Sequence, residues 1–542
     1  MAHDEADYVI VGGGTAGCVL ANRMSADPAC RVVVLEAGDD DTSPWISMPA
    51  GIAKLFQHPR LNWRYQTEPE EALGGRRLYW PRGKVLGGTS SINGMTYVRG
   101  QAADFDAWSA LTGGAWSWQS VLPYFKRLED RPFGSLEFRG AGGPLKVGWV
   151  SEPHPLAEAF LRSSVAAGVP RNHDYNGPSQ EGVSYSQVMM RDGVRSSAAS
   201  AYLAPVRSRA NLQVLTQSLA RRIVIEDGRA VGVEFERGSQ MQAIRARREV
   251  LLCGGTIASP QVLMLSGIGD ARTLAALGIR VAAERPAVGR NMQEHVRAQL
   301  VYRTRVPSLN QEARGLRLAG QLAHYAWRKR GLLANTASQV NGFVRSSMDV
   351  DRPDLQLVFR PSSGDYRAGR FVIHDYQGVM AMVGLLNPRS RGHVTLRSAD
   401  PHAPPSLVAG HLTDPVDYEP LIRGVRLMRR IFATPPLALD VVDEVKPGTT
   451  VSDDAALRDY LRDTADSLYH AVGTCAMGVD PASVTTPELR VRGIGALRVV
   501  DASVMPVVPS GNTTAAVLMI AERAADMLLG RDARDAAMGA HR

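Results

Sequence analysis

The stretch DYVIVGGGTAG, residues 7–17, decides the fold. Its first five residues form an apolar run of the buried-strand type, and the helical pattern CVLANRMS begins directly after the last glycine. In the GxGxxG spacing, Gly12 permits the tight turn, Gly14 lets the backbone approach a pyrophosphate, and Gly17 lets helix and strand pack closely. The helix N-terminus then faces the phosphates with unpaired N–H groups. A second strand-like run, RVVVL at 31–35, ends in Glu36, nineteen residues beyond Gly17. A carboxylate there accepts hydrogen bonds from a ribose and repels a 2′-phosphate, so FAD or NAD is favoured over NADP. The motif does not choose between FAD and NAD, because both carry the same AMP half.

Around this unit lie 542 residues, more than one hydrophobic core usually supports, so two or more structural units and room for a large pocket are expected. Hydrophobic residues make up 44% and charged residues 21%, with 52 Gly and 32 Pro, which excludes a long coiled coil and a disordered chain. The formal charge of +8 is spread thinly and carried almost wholly by Arg, with six Lys, so no nucleic-acid partner is expected. Cys18, Cys30, Cys253 and Cys475 form no CxxC or Cys/His spacing. Neither a metal site nor a disulfide framework is expected, which fits a reducing compartment. The N-terminal MAHDEADYVIVGGG has no basic leader region, and no apolar run reaches the roughly 18 residues of a membrane span. The expectation is a cytoplasmic protein without a transmembrane segment, with peripheral membrane association left open.

Two further glycine-rich stretches follow. PRGKVLGGTSSINGM, residues 81–95, is too dense in glycine and hydroxyl residues for a helix or central strand, and suits a backbone laid against a flat ligand. EVLLC at 249–253 reads as a buried strand, followed by GGTIASPQVLMLSGIG at 254–269 with a Ser-Pro helix start and a glycine stop. Three such devices point to one extended ligand gripped along its length.

Here the chain resembles the glucose-methanol-choline (GMC) flavoprotein oxidoreductases, in their choline-dehydrogenase-like bacterial branch. Residues 83–106, with Gly87, Gly88, Thr89, Ser90, Asn93, Tyr97, Gly100 and Asp106 in place, resemble the first family signature, and residues 255–269 the second. LEAG near the N-terminus and HAVGTCAMG, VVDASVMP and GNTTAAV near the C-terminus keep the family order over essentially the whole chain. The resemblance implies an α/β fold: a Rossmann-like FAD-binding domain assembled from residues 1–150, 190–300 and 455–533, and an α+β substrate domain with an antiparallel sheet from 151–189 and 301–454. It also implies contacts to FAD. Thr15 and Ala16 fall at the pyrophosphate, Glu36 and Ala37 at the adenosine ribose, Val85 with Asn93, Gly94, Met95 and Thr96 along the ribityl chain and flavin, and Ala220 at adenine. Asp501 and Ala502 fall near the phosphates and ribityl chain, and Asn512 and Thr513 at the flavin pyrimidine edge. Where some members tether FAD through a histidine, this chain has Ile92, so non-covalent FAD is expected.

The stretch NTTAAVLMIAERAADMLL, residues 512–529, reads as a largely buried helix capped by Asn512, with its N-terminus placed to stabilise charge on a reduced flavin. His470, in DSLYHAVGTCAMG, lies 42 residues earlier. The family pairs a histidine at this position with a His or Asn at that of Asn512. Alcohol oxidation removes a proton from oxygen and a hydride from carbon; imidazole can take the proton while flavin N5 takes the hydride, and Asn can hold the oxygen in line. His295, in VGRNMQEH, has a structural reading at least as strong as a functional one.

The expected activity is FAD-dependent oxidation of a primary or secondary alcohol to a carbonyl. The resemblance implies an acid in choline-using relatives in the segment corresponding to 334–342, where this chain has Gln339, so an uncharged alcohol is favoured. The acceptor is expected to be a quinone or electron carrier, with oxygen second. A lyase of the same architecture, cleaving cyanohydrins or decarboxylating fatty acids in light, is the alternative. The amphipathic segment GLRLAGQLAHYAWRKRGLLA, 315–334, reads either as a packed helix with a solvated face or as a basic docking helix.

Overall fold

The computed structural model describes residues 5–131, 135–312, 314–367 and 370–531. Its organising element is a seven-stranded sheet built on Glu5–Val11, which is buried along six of its seven residues. That strand runs parallel to Val32–Leu35 on one side and to Gln240–Leu252 on the other; Leu212–Leu215 and Leu497–Val499 extend the parallel part outward. Strands covered on both faces need continuous apolar runs, and VVVL and VLL supply them. The first half of Gln240–Leu252 instead continues an antiparallel meander with Arg229–Arg237 and Ser218–Glu226.

The turn from Glu5–Val11 into the helix Thr15–Met24 depends on two glycines. Gly12 has φ +103, and a Cβ there would stand 2.6 Å from the Cys253 carbonyl oxygen. A Cβ on Gly17 would stand 2.0 Å from the Gly12 carbonyl oxygen, so only glycine lets the helix lie this close to the turn.

A second seven-stranded sheet is antiparallel, in the order Val441–Lys446, Val296–Thr304, Gly378–Leu385, Leu355–Arg360, Val340–Val344 and Gly182–Tyr185, with Asp466–Ser467 also paired to Val296–Thr304. Strand alternation gives this sheet two different faces. Leu355, Leu357, Phe359, Val379, Ala381 and Val383 enter the core, where the helix Tyr418–Phe432 covers them. Gly424 permits that contact, since a Cβ there would meet Val383 Cγ1 at 2.4 Å. The intervening residues, Gln356, Val358, Arg360, Met380 and Met382, face a large cavity.

Two local readings are corrected. The helix after the second glycine turn runs Gly255–Leu265, starting four residues before the Ser-Pro pair; Pro260 lies inside it, and the Thr256 carbonyl that loses its i→i−4 donor there accepts from Thr474 Oγ1 instead. The C-terminal helix runs Thr514–Leu529 with Thr513 at its N-cap; Asn512 lies one residue outside and turns its side chain elsewhere.

Candidate active site

The two sheets enclose a cavity of about 610 Å³. At one end it is lined by Gly12, Gly14, Thr15, Ala16, Glu36, Ala37 and Ala220; Asn93, Gly94, Met95, Thr96, Asp501 and Ala502 follow, and Asn512, Thr513 and His470 stand at the substrate-side sheet. Two expected residues are not in the lining. Gly17 acts behind the wall through its packing on Gly12, and the Val85 side chain is fully buried in an apolar cluster with Ile46, Leu55, Leu61 and Ile92.

The cavity fits an extended dinucleotide. Three helix N-termini open on it, at Thr15–Met24, Gly255–Leu265 and Thr514–Leu529; Asp501 takes the first N–H of the second, while the first and third have no side-chain cap, so their first N–H groups are available to an anionic or carbonyl-bearing ligand. Glu36 is buried with Oε2 accepting from Gly13 N at 2.8 Å and Oε1 from Gly38 N at 2.7 Å. Burial pushes its carboxyl up to about 7, against the pull of those two N–H groups and Lys84. Ribose hydroxyls would add donors to this group. Asp501 acts through the backbone. Its Oδ2 accepts from Gly255 N at 2.8 Å and Ser259 Oγ at 2.6 Å, while Oδ1 accepts from Ser503, so it ties the second glycine turn to the loop that carries Ala502. Asn93 Oδ1 accepts from Met95 N at 3.0 Å, and its Nδ2 donates to Thr514 Oγ1 at 3.2 Å, joining the first signature to the C-terminal helix.

At the far end, a chain of hydrogen bonds sets the protonation of His470. His295 Nε2 lies 3.0 Å from the Leu386 carbonyl oxygen, which only accepts, so His295 carries its proton there and its Nδ1 accepts. His470 Nδ1, 2.9 Å away, is therefore the donor, and His470 Nε2 keeps its lone pair. Asn512 Nδ2 donates to that lone pair at 2.8 Å. Asn512 Oδ1 accepts from Gln356 Nε2 at 3.2 Å, and the same amide donates to Asn341 Oδ1 at 2.9 Å. Gln356 Oε1 is buried without a partner among the described residues. Burial, reinforced by His295 and Arg82, holds His470 well below the usual imidazole range, and burial takes His295 down to about 4. Both rings are neutral at pH 7.

The backbone presents His470 under tension. Tyr469 adopts φ +69, a conformation that L residues enter rarely, and the next N–H, that of His470, is held by Glu294 Oε1 at 2.7 Å. Glu294 is itself fully enclosed, and burial raises its carboxyl to about 7 against the nearby Arg82 guanidinium.

Sequence reasoning did not single out His295 as part of this chain, nor Gln356, Asn341 or Glu294. For Gln356 a signal existed: in LQLVFR the polar Gln356 and Arg360 share one face, opposite Leu355, Leu357 and Phe359, in a strand too buried for a solvated face. Gln339 does not reach the cavity; its Oε1 accepts from His154 N at 2.8 Å, and Thr336, Ala337, Ser338 and Asn341 supply that wall instead. Among the described residues the lining contains two carboxylates, Glu36 and Asp501, and three guanidiniums near the substrate sheet, Arg82, Arg297 and Arg360.

The GMC oxidoreductase family models match residues 6–297 and 388–521. The chain is a GMC oxidoreductase. It is 42% identical over 532 residues to an alcohol dehydrogenase [acceptor] of Pseudomonas putida, covering 96% of this chain and 95% of the relative. It is 42% identical over 530 residues to an oxygen-dependent choline dehydrogenase of Sinorhizobium medicae, covering 97% and 96%. Among solved structures, a pyridoxine 4-oxidase from Mesorbium loti superposes with TM-score 0.89 at 32% identity, covering 97% of this chain and 99% of the other, and a formate oxidase with TM-score 0.92 at 25% identity, covering 98% and 99%. As a GMC oxidoreductase the chain is an FAD-dependent enzyme, and Ile92 in the lining offers no nucleophile to tether the cofactor.

Proposed function

We propose that this enzyme oxidises an uncharged primary or secondary alcohol to a carbonyl, with His470 as general base and Asn512 as its partner in orienting the hydroxyl. The observation that carries the reading is the neutral imidazole of His470, with its Nε2 lone pair held toward Asn512 in the cavity. FAD, bound along the glycine turns, supplies the hydride acceptor. The substrate hydroxyl replaces the Asn512 amide as the donor to Nε2, and His470 takes its proton. The freed Asn512 N–H then donates to the alcohol oxygen. Gln356 keeps the Asn512 amide turned this way, and His295 keeps the second His470 proton on Nδ1.

The choice of an uncharged alcohol rests on the lining. A quaternary ammonium group calls for carboxylates or an aromatic cage; the lining has aromatic rings, with Phe56 and Tyr469 edge to face at 5.6 Å beside His470, but its carboxylates serve the cofactor end, and the guanidiniums of Arg82, Arg297 and Arg360 at the substrate end disfavour a fixed cation. For the acceptor, the name of the Pseudomonas putida relative supports a dehydrogenase over an oxidase. The named relatives are oxidoreductases, which leaves the lyase reading without support. The test is an anaerobic screen of alcohols for bleaching of the flavin absorbance. Bleaching by neutral alcohols and not by choline supports the proposal; bleaching by choline alone overturns the substrate class. Rapid reoxidation in air would favour an oxidase.

A further inference from the structure

The helix Gly315–Arg328 is the least embedded long helix among the described residues. Tyr325 is its one buried residue, packed with Leu318, Leu333, Ala334, Met48 and Ala50. On the opposite side, Leu316, Ala319, Ala323 and Trp327 recur at spacings of three and four and form one stripe along the helix. That stripe faces outward, with Leu316 92% and Trp327 79% exposed. Arg317 and Arg328 stand beside it on the helix and exposed Arg330 follows, while Arg314 donates to the Ile373 and His374 carbonyl oxygens and Lys329 lies over the Tyr325 ring; residues 313–348 contain no Asp or Glu. Arg317, Arg328 and Arg330 form no ion pair among the described residues, and the Arg328 guanidinium lies 4.5 Å from the Trp327 ring centre.

We propose that this helix docks on an anionic lipid bilayer, lying flat with Leu316, Ala319, Ala323 and Trp327 in the headgroup–acyl boundary and the flanking Arg317, Arg328 and Arg330 side chains against lipid phosphates. A bilayer offers an anionic layer and an apolar layer side by side at fixed depth, matching an apolar stripe bordered by cations on a helix about 21 Å long. Indole beside guanidinium is the residue pair that such a boundary favours. An acidic protein surface would answer the cations but leave Leu316 and Trp327 against polar groups. No described helix is long and apolar enough to cross a membrane, so attachment at this site is peripheral.

The position gives the attachment a consequence. The segment under the helix, with Met48 and Ala50, runs directly into Ile52 and Ala53, which line the cavity, and Ala53 is itself exposed. Docking therefore brings an opening of the cavity close to lipid, where an apolar alcohol or a lipid-soluble acceptor is concentrated.

The test is co-sedimentation of the full-length, FAD-loaded protein with vesicles of phosphatidylcholine mixed with phosphatidylglycerol, and with phosphatidylcholine alone. The protein is expected to pellet with the anionic vesicles and to be released as salt is raised. The doubly substituted Leu316→Ser, Trp327→Ser protein should pellet at least about tenfold less while keeping its flavin absorbance and melting temperature. Wild-type protein remaining in the supernatant with anionic vesicles at low salt overturns the proposal. So does pelleting of the double variant equal to wild type, and so does binding confined to native membranes whose proteins are intact, which would assign the face to a protein partner. These outcomes read partition and stand whether or not His470 is the base.

Discussion

Nδ1 of His470 and Nδ1 of His295 stand 2.9 Å apart, with the rings nearly perpendicular at 86°. Two neutral imidazoles in this contact share one proton, and the carbonyl of Leu386 decides which ring donates it. His295 is thus a positioning residue for the base.

Replacing His295 with Ala removes the acceptor for His470 Nδ1–H. The ring is then free to change tautomer, and kcat/KM is expected to fall about 10- to 100-fold, in line with the loss of one buried hydrogen bond. The protein should still bind FAD. Because His295 also helps to depress His470, the acidic limb of the kcat/KM profile should move to higher pH. An unchanged limb would leave His295 a packing residue only.

The wild-type pH profile follows from the same shift. The active form of His470 is neutral, and its folded pKa lies well below 6.5, so activity persists below pH 6.5 and is lost only as pH falls through the depressed value. The groups facing it are His295, Arg82 and Glu294. Asn512→Asp reverses the sign: a carboxylate beside Nε2 favours the imidazolium and raises the pKa. At pH 6 this variant should lose at least about tenfold more kcat/KM than at pH 9, the equivalent of one pKa unit.

Much of the cofactor end was legible because its parts are local: Gly12, Gly17 and Glu36 all fall within one strand–helix–strand unit. The base end was less so. His470 and Asn512 could be paired through the family resemblance, but His295 meets His470 from 175 residues away, and no periodicity reveals such a contact. Asn512 was read as an N-cap because Asn at a helix start usually caps; here Thr513 takes that position and the amide turns into the cavity. Gln339 falls at the substrate from its segment alone, but it stands one residue before the strand Val340–Val344 and its side chain turns to His154 N, whereas Asn341 within the strand faces the cavity.

Glu36→Gln should weaken FAD binding. An amide cannot accept through both ends, so one of the N–H groups of Gly13 and Gly38 is left unpaired and the ribose loses an acceptor. The expected cost is roughly 1–3 kcal/mol, about 10- to 100-fold in Kd, read from flavin released on dilution of the holoenzyme. Equal retention in both proteins would contradict the role given to Glu36.

Glu522→Gln addresses stability. Glu522, fully buried in the C-terminal helix, accepts from Arg23 at 2.7 and 2.9 Å and from Tyr202 at 2.8 Å, and pairs with Arg127 at 2.8 Å. Removing its charge leaves the Arg23 guanidinium without its carboxylate between the dinucleotide helix and the C-terminal helix, while Arg127 keeps Asp526 at 2.8 Å, at a cost of roughly 1–3 kcal/mol. Urea or thermal unfolding of the holoenzyme reads this directly, and a change within error of zero would contradict it.

The central claim is that His470 takes the proton. The most direct measurement is anaerobic stopped-flow reduction of the flavin by an alcohol substrate in wild type and His470→Ala. The variant should bind FAD normally and be reduced about 10²- to 10⁴-fold more slowly, the usual contribution of a general base. Reduction at near wild-type rate would contradict the assignment.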